Sequence, residues 1–502
     1  MTDKFFWADD IAEKIIKEKV GKSEYVCACG ISPSGTIHMG NFREVITTEL
    51  VVRALKDKGK KIRFIYSWDD YDRLRKVPMN IPENKKKEFE NYIGMPISEI
   101  PSPFDKKLDY ARYFEAQFEK DLKPMGIKPK FIRQSEMNKK CKYSSLIKTA
   151  IEKRKEIMDV LNKYRKEPLD ENWTPLEVYC EKCKKDATKI LNAKGYEIEY
   201  SCACGFRNKI DFRKKGIVKL KWRVDWPARW FYEKVDFEPG GADHSAPGGS
   251  FDTAKKISKK IFGYNPPIYQ LYEWVRPKGG KEFSSSSGNA LSLSDGLEVY
   301  EPEILRYLFV GTRPNKGFPI IFDDEIIKIY EEFDELERKY FEKIATPLEN
   351  RIYELSLVKM RKTKPEKTSF RHLITLVQTG KTKNLKGKEK ERAEKVRNWL
   401  DNYAPEEFKF KVQDKIPEDI SLSDGQKKAL NELKFALKNK NLTEEEIYNK
   451  FYDICASVGL KNNEFFTAAY NVILNKNRGP RLANLIMTIG KEKIIKLLEQ
   501  VR

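Results

Sequence analysis

The sequence lacks any long apolar run: nowhere does it approach the roughly 20 successive hydrophobic residues that span a bilayer. Met1–Lys19 carries acidic side chains and no signal-peptide core. These absences set the expectation of a soluble, cytoplasmic protein with no membrane partner. Histidine is scarce, with 3 residues in 502, so a histidine inside a motif carries weight. No repeat of solenoid period is visible, and no low-complexity tract beyond four consecutive serines. The 8 cysteines do not follow the spacing of a secreted disulfide framework. Acidic residues are in deficit, 76 against 97 Lys and Arg, for a formal net charge of +21. Heat-adapted proteins enrich both signs together, which leaves that excess unexplained. A nucleic-acid partner explains it through phosphate neutralisation.

What is present is globular: 40% hydrophobic and 12% aromatic residues, over a length that calls for two to four domains. After a helical pattern near Asp9–Lys19, "EYVCACGIS" reads as a buried strand entering a glycine turn. "HMGNFREVITTELVVRALKDKG" has helical period and stops at Gly59, and "KKIRFIYSWDD" reads as a second strand. Strand, turn, helix, strand is a βαβ unit, so the chain opens as a Rossmann-like α/β domain. From Val77 to about Gly216 the pattern changes to Pro-rich turns, helices near Asp109–Leu122 and Ser144–Tyr164, and cysteine pairs, which predicts an insertion. "IVKLKWRVDWPARW" and "PPIYQLYEWV" read as strands that complete the sheet. Beyond Pro319 helices dominate, one with a capping box at Thr443 and Glu446 and another beginning near Pro480. The basic segment Lys381–Arg397 suits either a solvated helix with its loop or an RNA contact.

Chemistry concentrates in "SPSGTIHMGNFRE", Ser32–Glu44, where the first strand should turn into its helix. Backbone amides at a helix start attract phosphate, and Gly35 and Gly40 let a ligand approach the main chain. His38 on the first turn can donate a hydrogen bond to a pentacoordinate phosphate, whereas a lone helical histidine more often serves structure. The stretch resembles the His-Ile-Gly-His signature of class I aminoacyl-tRNA synthetases, here His38, Met39, Gly40 and Asn41. "YSWDDYDRLRKVP", "GGADHSAPGGSFDTA" and "YEWV" follow in an order similar to that of class I lysyl-tRNA synthetases of archaeal and spirochaetal type. The similarity covers most of the chain and is strongest up to about Glu303.

That resemblance implies ATP-dependent ligation of L-lysine to tRNA(Lys) through a lysyl adenylate, with transfer to the terminal ribose 2′-hydroxyl and Mg²⁺ on the ATP phosphates. It places ATP at Ser34, Gly35, His38, Gly40, Asn41, Gly241, Asp243, Phe283 and Ser284. Lysine is expected at Gly30, Ser32, Asp69, Asp70, Trp222, Asp225, His244 and Tyr272. An ammonium group needs a carboxylate and aromatic walls, and Asp69, Asp70 and Asp225 stand as alternatives for the first. Tyr25–Gly35 contains no Arg or Lys to neutralise a glutamate substrate. The rival readings are a class I synthetase for another amino acid, a small nucleotidyltransferase with the same histidine signature, and a non-catalytic tRNA-binding zinc protein.

Cys180-x₂-Cys183 and Cys202-x-Cys204 can form a tetrahedral thiolate site of the kind zinc prefers, with a structural role because no position stays open. Cys27 and Cys29, alternating in a strand, face one side and read as small apolar residues. "GGKEFSSSSGNALS", Gly279–Ser292, could pass for a tether. By resemblance it is the family's second signature, a phosphate-binding loop in which Glu282, Phe283, Ser284, Ser285 and Ser286 align on Lys-Met-Ser-Lys-Ser, so that Glu282 and Ser285 stand at the two lysine positions and Lys281 sits one residue early.

The expected organisation is 1–78 and 216–318 as the two Rossmann halves, 79–215 as an inserted acceptor-binding region with the zinc knuckles, 319–390 as a helical stem-contact region, and 391–502 as a helical anticodon-binding domain. Tyr448, Phe451 and Phe466 either stack on bases there or fill the core. The sequence leaves the oligomeric state open, with a monomer as one reading.

Overall fold

Parallel pairing follows from the opening pattern, because a helix of 19 residues carries the chain back to the start of the sheet. The computed structural model describes residues 6–278, 291–418 and 420–501. One compact unit comprises residues up to 297 with Pro302–Ile320 and Glu342–Arg361; the other holds Glu298–Glu301, Ile321–Phe341 and the residues from Lys362 onward.

In the first unit, α1 (Trp7–Glu18) precedes β1 (Tyr25–Ile31), α2 (Met39–Asp57), β2 (Ile62–Trp68), β3 (Lys130–Arg133), β4 (Phe237–Gly241) and β5 (Ile268–Tyr272). The sheet order is β5-β4-β1-β2-β3, with every neighbouring pair parallel. Strand order reverses at β1, and in open α/β sheets the crevice beyond the carboxyl end at such a reversal takes the ligand. β1 is apolar nearly throughout because it is covered on both faces. Cys27 and Cys29 are buried in it as expected, and burial pushes both thiols well above their usual range. Gly59, at φ +71°, follows the last residues of α2 as read from the sequence.

The stretch "IVKLKWRVDWPARW" corrects the expectation of a strand. Val218–Leu220 pairs antiparallel with Leu176–Val178, and Trp222–Glu233 is a helix; the sheet's fourth strand is supplied by β4. Trp222, Trp226 and Trp230 recur every four residues and meet along one helix face, with ring centroids 5.2 and 5.0 Å apart. Helical period prevails over the strand preference of the individual side chains. A second correction concerns 79–215, expected wholly as an insertion: it lends β3 to the sheet edge, reached through the helix Tyr110–Leu122, whose N-cap Asp109 accepts from the Arg112 amide. A four-residue edge strand leaves little pattern to read. The helix expected over Ser144–Tyr164 breaks at Lys153 into Ser144–Glu152 and Arg154–Asn162. "PPIYQLYEWV" yields β5 as expected, while Val275–Pro277 pairs with Phe318–Ile320 in a separate ribbon.

The second unit is helical apart from its connections. Thr443 and Glu446 form the reciprocal capping box read from the sequence. Pro480 lies outside Leu482–Ile489, before its N-cap Arg481, rather than in the first turn. Phe451 is buried in the helical core with Phe466 packed against it, while Tyr448 stays half exposed. The segments 319–390 and 391–502 do not separate: Ile321–Phe341 and Lys362 onward form one unit, and Glu342–Arg361 belongs to the other. Among the described residues no helix is long and apolar enough to cross a membrane.

Candidate active site

The carboxyl ends of β1, β2, β4 and β5 deliver Gly30, Asp69, Gly241 and Tyr272 to one edge of the sheet. His38 is the N-cap of α2, its Nδ1 accepting from the Asn41 amide at 3.3 Å while Asn41 Oδ1 accepts from the His38 amide at 3.1 Å. Burial lowers the imidazole to about 4, so the ring is neutral near pH 7. With Nδ1 acting as acceptor, the ring proton sits on Nε2. Gly40 is required by this ring: a Cβ there would lie 2.9 Å from His38 Nδ1. Gly30 is required by β2, since its Cβ would lie 2.5 Å from the Ser67 carbonyl oxygen.

One turn further along α2 stands Glu44, which the sequence reading did not single out. Its carboxylate accepts from the Gly30 amide and the Tyr272 hydroxyl, each at 2.8 Å, yet burial pushes it up to about 8. Glu238 on β4 accepts from Trp230 Nε1 and is pushed up to about 7, again by burial. Tyr269 was likewise unread: its hydroxyl shares a 2.7 Å hydrogen bond with Ser245 and fills the space a Cβ at Gly240 would need. At Gly241 that space is taken by Asp243 Oδ1, 2.5 Å away, with Tyr272 Oη at 3.6 Å. Asp243 is exposed, and His244 lies with its ring centroid 5.8 Å from that of Trp226 and 6.4 Å from that of Trp222.

The three aspartates weighed for an ammonium part company. Asp70 accepts from the Ser135 amide at 2.8 Å and from its hydroxyl, a local tie at the start of the helix Gln134–Lys139. Asp69 and Asp225 both face Arg229, at 2.6 and 3.0 Å. Arg229 also donates to Ser67 Oγ at 3.0 Å and stacks its guanidinium on Trp222, 5.3 Å from the ring centroid. Burial pushes the Asp225 carboxyl up to about 6 despite that pairing. Asp225 and Arg229 are an i,i+4 pair on the helix Trp222–Glu233, a spacing that means nothing while the stretch is read as a strand.

Lys281, Phe283, Ser284, Ser285 and Ser286 lie outside the described residues. The chain that follows them docks on the site: the Met39 amide donates to the Leu291 carbonyl at 2.9 Å, and His38 and Ser292 form a β-bridge. Ser32 Oγ donates weakly to the Asp69 carbonyl at 3.4 Å, while Ser34 is exposed and Gly35 buried beside it.

Apart from the crevice, the four paired cysteines converge. Cys180 and Cys204 Sγ lie 3.7 Å apart, Cys183 and Cys202 Sγ 3.6 Å, and all four within 4.8 Å of one another. A tetrahedron with metal–sulfur bonds of about 2.3 Å has edges of about 3.8 Å, so the donor set fits a zinc ion. Gly205, at φ +83°, makes the turn that lets a single residue separate Cys202 from Cys204.

Comparison with known proteins gives two family matches. The model described as "tRNA synthetases class I (K)" matches residues 5–359, and an "Anticodon binding domain" matches residues 382–502. The chain is 44% identical to a lysine–tRNA ligase of Borreliella burgdorferi, over 98% of each chain. It is 43% identical to the lysine–tRNA ligase of Borrelia garinii over 98% of this chain and 99% of that one, and 40% identical to that of Pyrococcus horikoshii over the same shares.

Proposed function

We infer, for a chain that belongs to the family of tRNA synthetases class I (K), that the crevice at the end of β1 joins L-lysine to tRNA(Lys) through a lysyl adenylate. The chain is an aminoacyl-tRNA synthetase, a ligase driven by ATP. The observation that carries the choice of lysine is Glu44. A carboxylate taken out of water at about pKa 8, with Glu238 near 7, regains its charge when an ammonium group enters beside it. Tyr272 and the Gly30 amide aim that carboxylate, and Trp222, Trp226 and His244 offer a ring-lined wall for the aliphatic stem. Arg229 is matched by Asp69 and Asp225, so it does not oppose the ammonium.

Lysine then lies with its carboxylate toward the start of α2. An oxygen of that carboxylate attacks the α-phosphorus of ATP, the bond to the bridging oxygen of the β-phosphate breaks, and pyrophosphate departs with the electron pair. The nucleophile is already ionised, so positioning and charge stabilisation carry the rate. His38 Nε2 and the first amides of α2 donate to the phosphoryl oxygens, with Asn41 holding the ring. Gly241 and Asp243 take the ribose, and Ser34 and Gly35 the turn beneath the nucleotide. ATP enters as its Mg²⁺ complex, the cation neutralising the β and γ phosphates. By family signature, Lys281 and the segment Phe283–Ser286 belong to the pyrophosphate side. The terminal ribose 2′-hydroxyl of tRNA then attacks the lysyl carbonyl and AMP leaves. Cys180, Cys183, Cys202 and Cys204 hold a structural zinc.

The test is ATP–pyrophosphate exchange with each amino acid in turn, with tRNA present. Exchange with lysine is expected; exchange with glutamate and not lysine overturns the reading.

A further inference from the structure

Gln134 opens the helix Gln134–Lys139 directly after β3, an uncharged polar side chain with 6% of its surface exposed. The proposed chemistry gives it no role. Both polar ends of the amide are nevertheless spent, Nε2 lying 2.7 Å from Ser67 Oγ and Oε1 2.9 Å from the Tyr143 hydroxyl. Burying such a group is favourable only when those bonds are made.

The direction of the bonds follows from their far end, where the Arg229 guanidinium can only donate and the Asp69 carboxylate can only accept. Ser67 Oγ stands between the two, 3.0 Å from Arg229 Nη1 and a longer 3.4 Å from Asp69 Oδ1. Its single proton therefore points to Asp69, one lone pair takes Arg229, and a lone pair is all that remains for Gln134. Gln134 must present Nε2 there, which turns its oxygen to Tyr143 and makes that phenol the donor. Burial holds the phenol well above its usual range, so the proton it gives stays on the oxygen. The chain of bonds runs one way, from Tyr143 through Gln134 and Ser67 to Asp69. Glutamine suits the middle of it because one planar group accepts at one end and donates at the other.

This chain joins the inserted region to the crevice. Ser135, next to Gln134, donates its amide to Asp70 at 2.8 Å, so the helix start is fastened to the end of β2 at two successive residues. Beyond Ser67, Arg229 pairs with Asp69 at 2.6 Å and Asp225 at 3.0 Å, and lies 5.3 Å from the centroid of the Trp222 ring. A guanidinium released from Ser67 shifts against the ring that lines the crevice.

We propose that Gln134 is a positioning residue for lysine: through the Ser67 hydroxyl it fixes Arg229, and through Arg229 the Trp222 wall and the two aspartates, without touching substrate. The proposal rests on the synthetase reading and deepens it at the amino-acid end of the crevice.

The experiment is ATP–pyrophosphate exchange by the full chain with tRNA present, comparing wild type with Gln134→Met, Ser67→Ala and the double variant. Each single substitution should raise the lysine KM by about tenfold, the scale of a hydrogen bond to a charged group, with kcat and the ATP KM within about twofold. The double variant should be no worse than either single one, because both break the same chain. A lysine KM unchanged in either single variant overturns the proposal. So do effects that multiply in the double variant, which would make the two side chains independent, and an ATP KM that rises together with that for lysine, which would make the loss one of general packing. If Gln134→Met does not fold, Ser67→Ala decides alone by the same split between lysine and ATP. Wild-type exchange with lysine is measured alongside: its absence defeats the synthetase reading, whereas its presence with unaltered KM values in the variants defeats only the role of Gln134.

Discussion

With its carboxyl pushed up to about 8 by burial, Glu44 favours the protonated form at neutral pH, and on the proposed reading an entering ammonium displaces that proton. Because its carboxyl and that of Glu238 are raised, to about 8 and about 7, lysine meets protonated acids below those values and carboxylates above them. The KM for lysine should therefore fall as pH rises from 6 to 8 and level off beyond, by no more than about tenfold per unit for each proton released. Glu44→Gln should raise that KM about 10- to 100-fold, the scale of a charged hydrogen bond, and leave only the limb near 7; exchange kinetics between pH 6 and 9 check both. His38 makes the opposite pH prediction. Its imidazole is lowered to about 4, so it contributes no titration limb in that range. His38→Ala should nonetheless slow adenylate formation by about 10²–10³, with an ATP KM close to wild type. A kcat near wild type would remove His38 from the phosphoryl step. The contrast marks what a sequence displays: His38 stands out through rarity and motif, whereas Glu44 is one of 76 acidic residues and gains meaning only when Gly30 and Tyr272 close on it.

At the scale of elements, α2 sets a length. His38 at its cap and Glu44 six residues on are separated along the axis by about 9 Å, at ~1.5 Å per residue, so on the proposed reading α2 sets the spacing between the phosphate and ammonium ends of the site. Ornithine, shorter by one methylene, cannot span both, and should support exchange at a kcat/KM lower by about 10-fold or more. Comparable values would show that the helix does not measure. The Trp222–Glu233 helix and the end of β2 are tied through Arg229, and Arg229→Met would leave Asp69 and Asp225 facing each other in the interior. Loss of one partner of a buried pair costs about 3–5 kcal/mol, so the urea midpoint should fall markedly; an unchanged midpoint would show the clamp to be idle. The cysteine knuckles should yield one zinc per chain by elemental analysis and none in Cys180→Ser, and two per chain would mean that Cys27 and Cys29 also bind. The first βαβ unit and the knuckles were legible because period and spacing are local. The helix around Trp226 was not, because tryptophan, valine and tyrosine favour strands one by one and only their four-residue recurrence says otherwise.

For the whole molecule, the net charge of +21 predicts that tRNA affinity falls with salt, log Kd rising with log[salt] by about 0.7–0.9 per phosphate contact. Lysine KM should stay nearly flat over the same range; a salt-independent tRNA Kd would separate the charge from RNA binding. The linear order of domains was the least legible feature, because unit membership is decided by contacts between residues far apart in sequence. Glu342–Arg361 belongs with the sheet. There Arg53 donates to the Leu357 carbonyl at 2.6 Å, Arg306 joins the Leu355 carbonyl to Glu49, and Arg351 pairs with Asp9. That arrangement has a consequence in time. A chain emerging from the ribosome has made β1, α2 and both ends of the crevice long before Leu355 and Leu357 exist. Until then Arg53 lacks the Leu357 carbonyl and Arg306 has the Met125 carbonyl without that of Leu355. The catalytic unit can close only after residue 361 has cleared the exit tunnel, so the nascent protein carries an unfinished active site through most of its own synthesis.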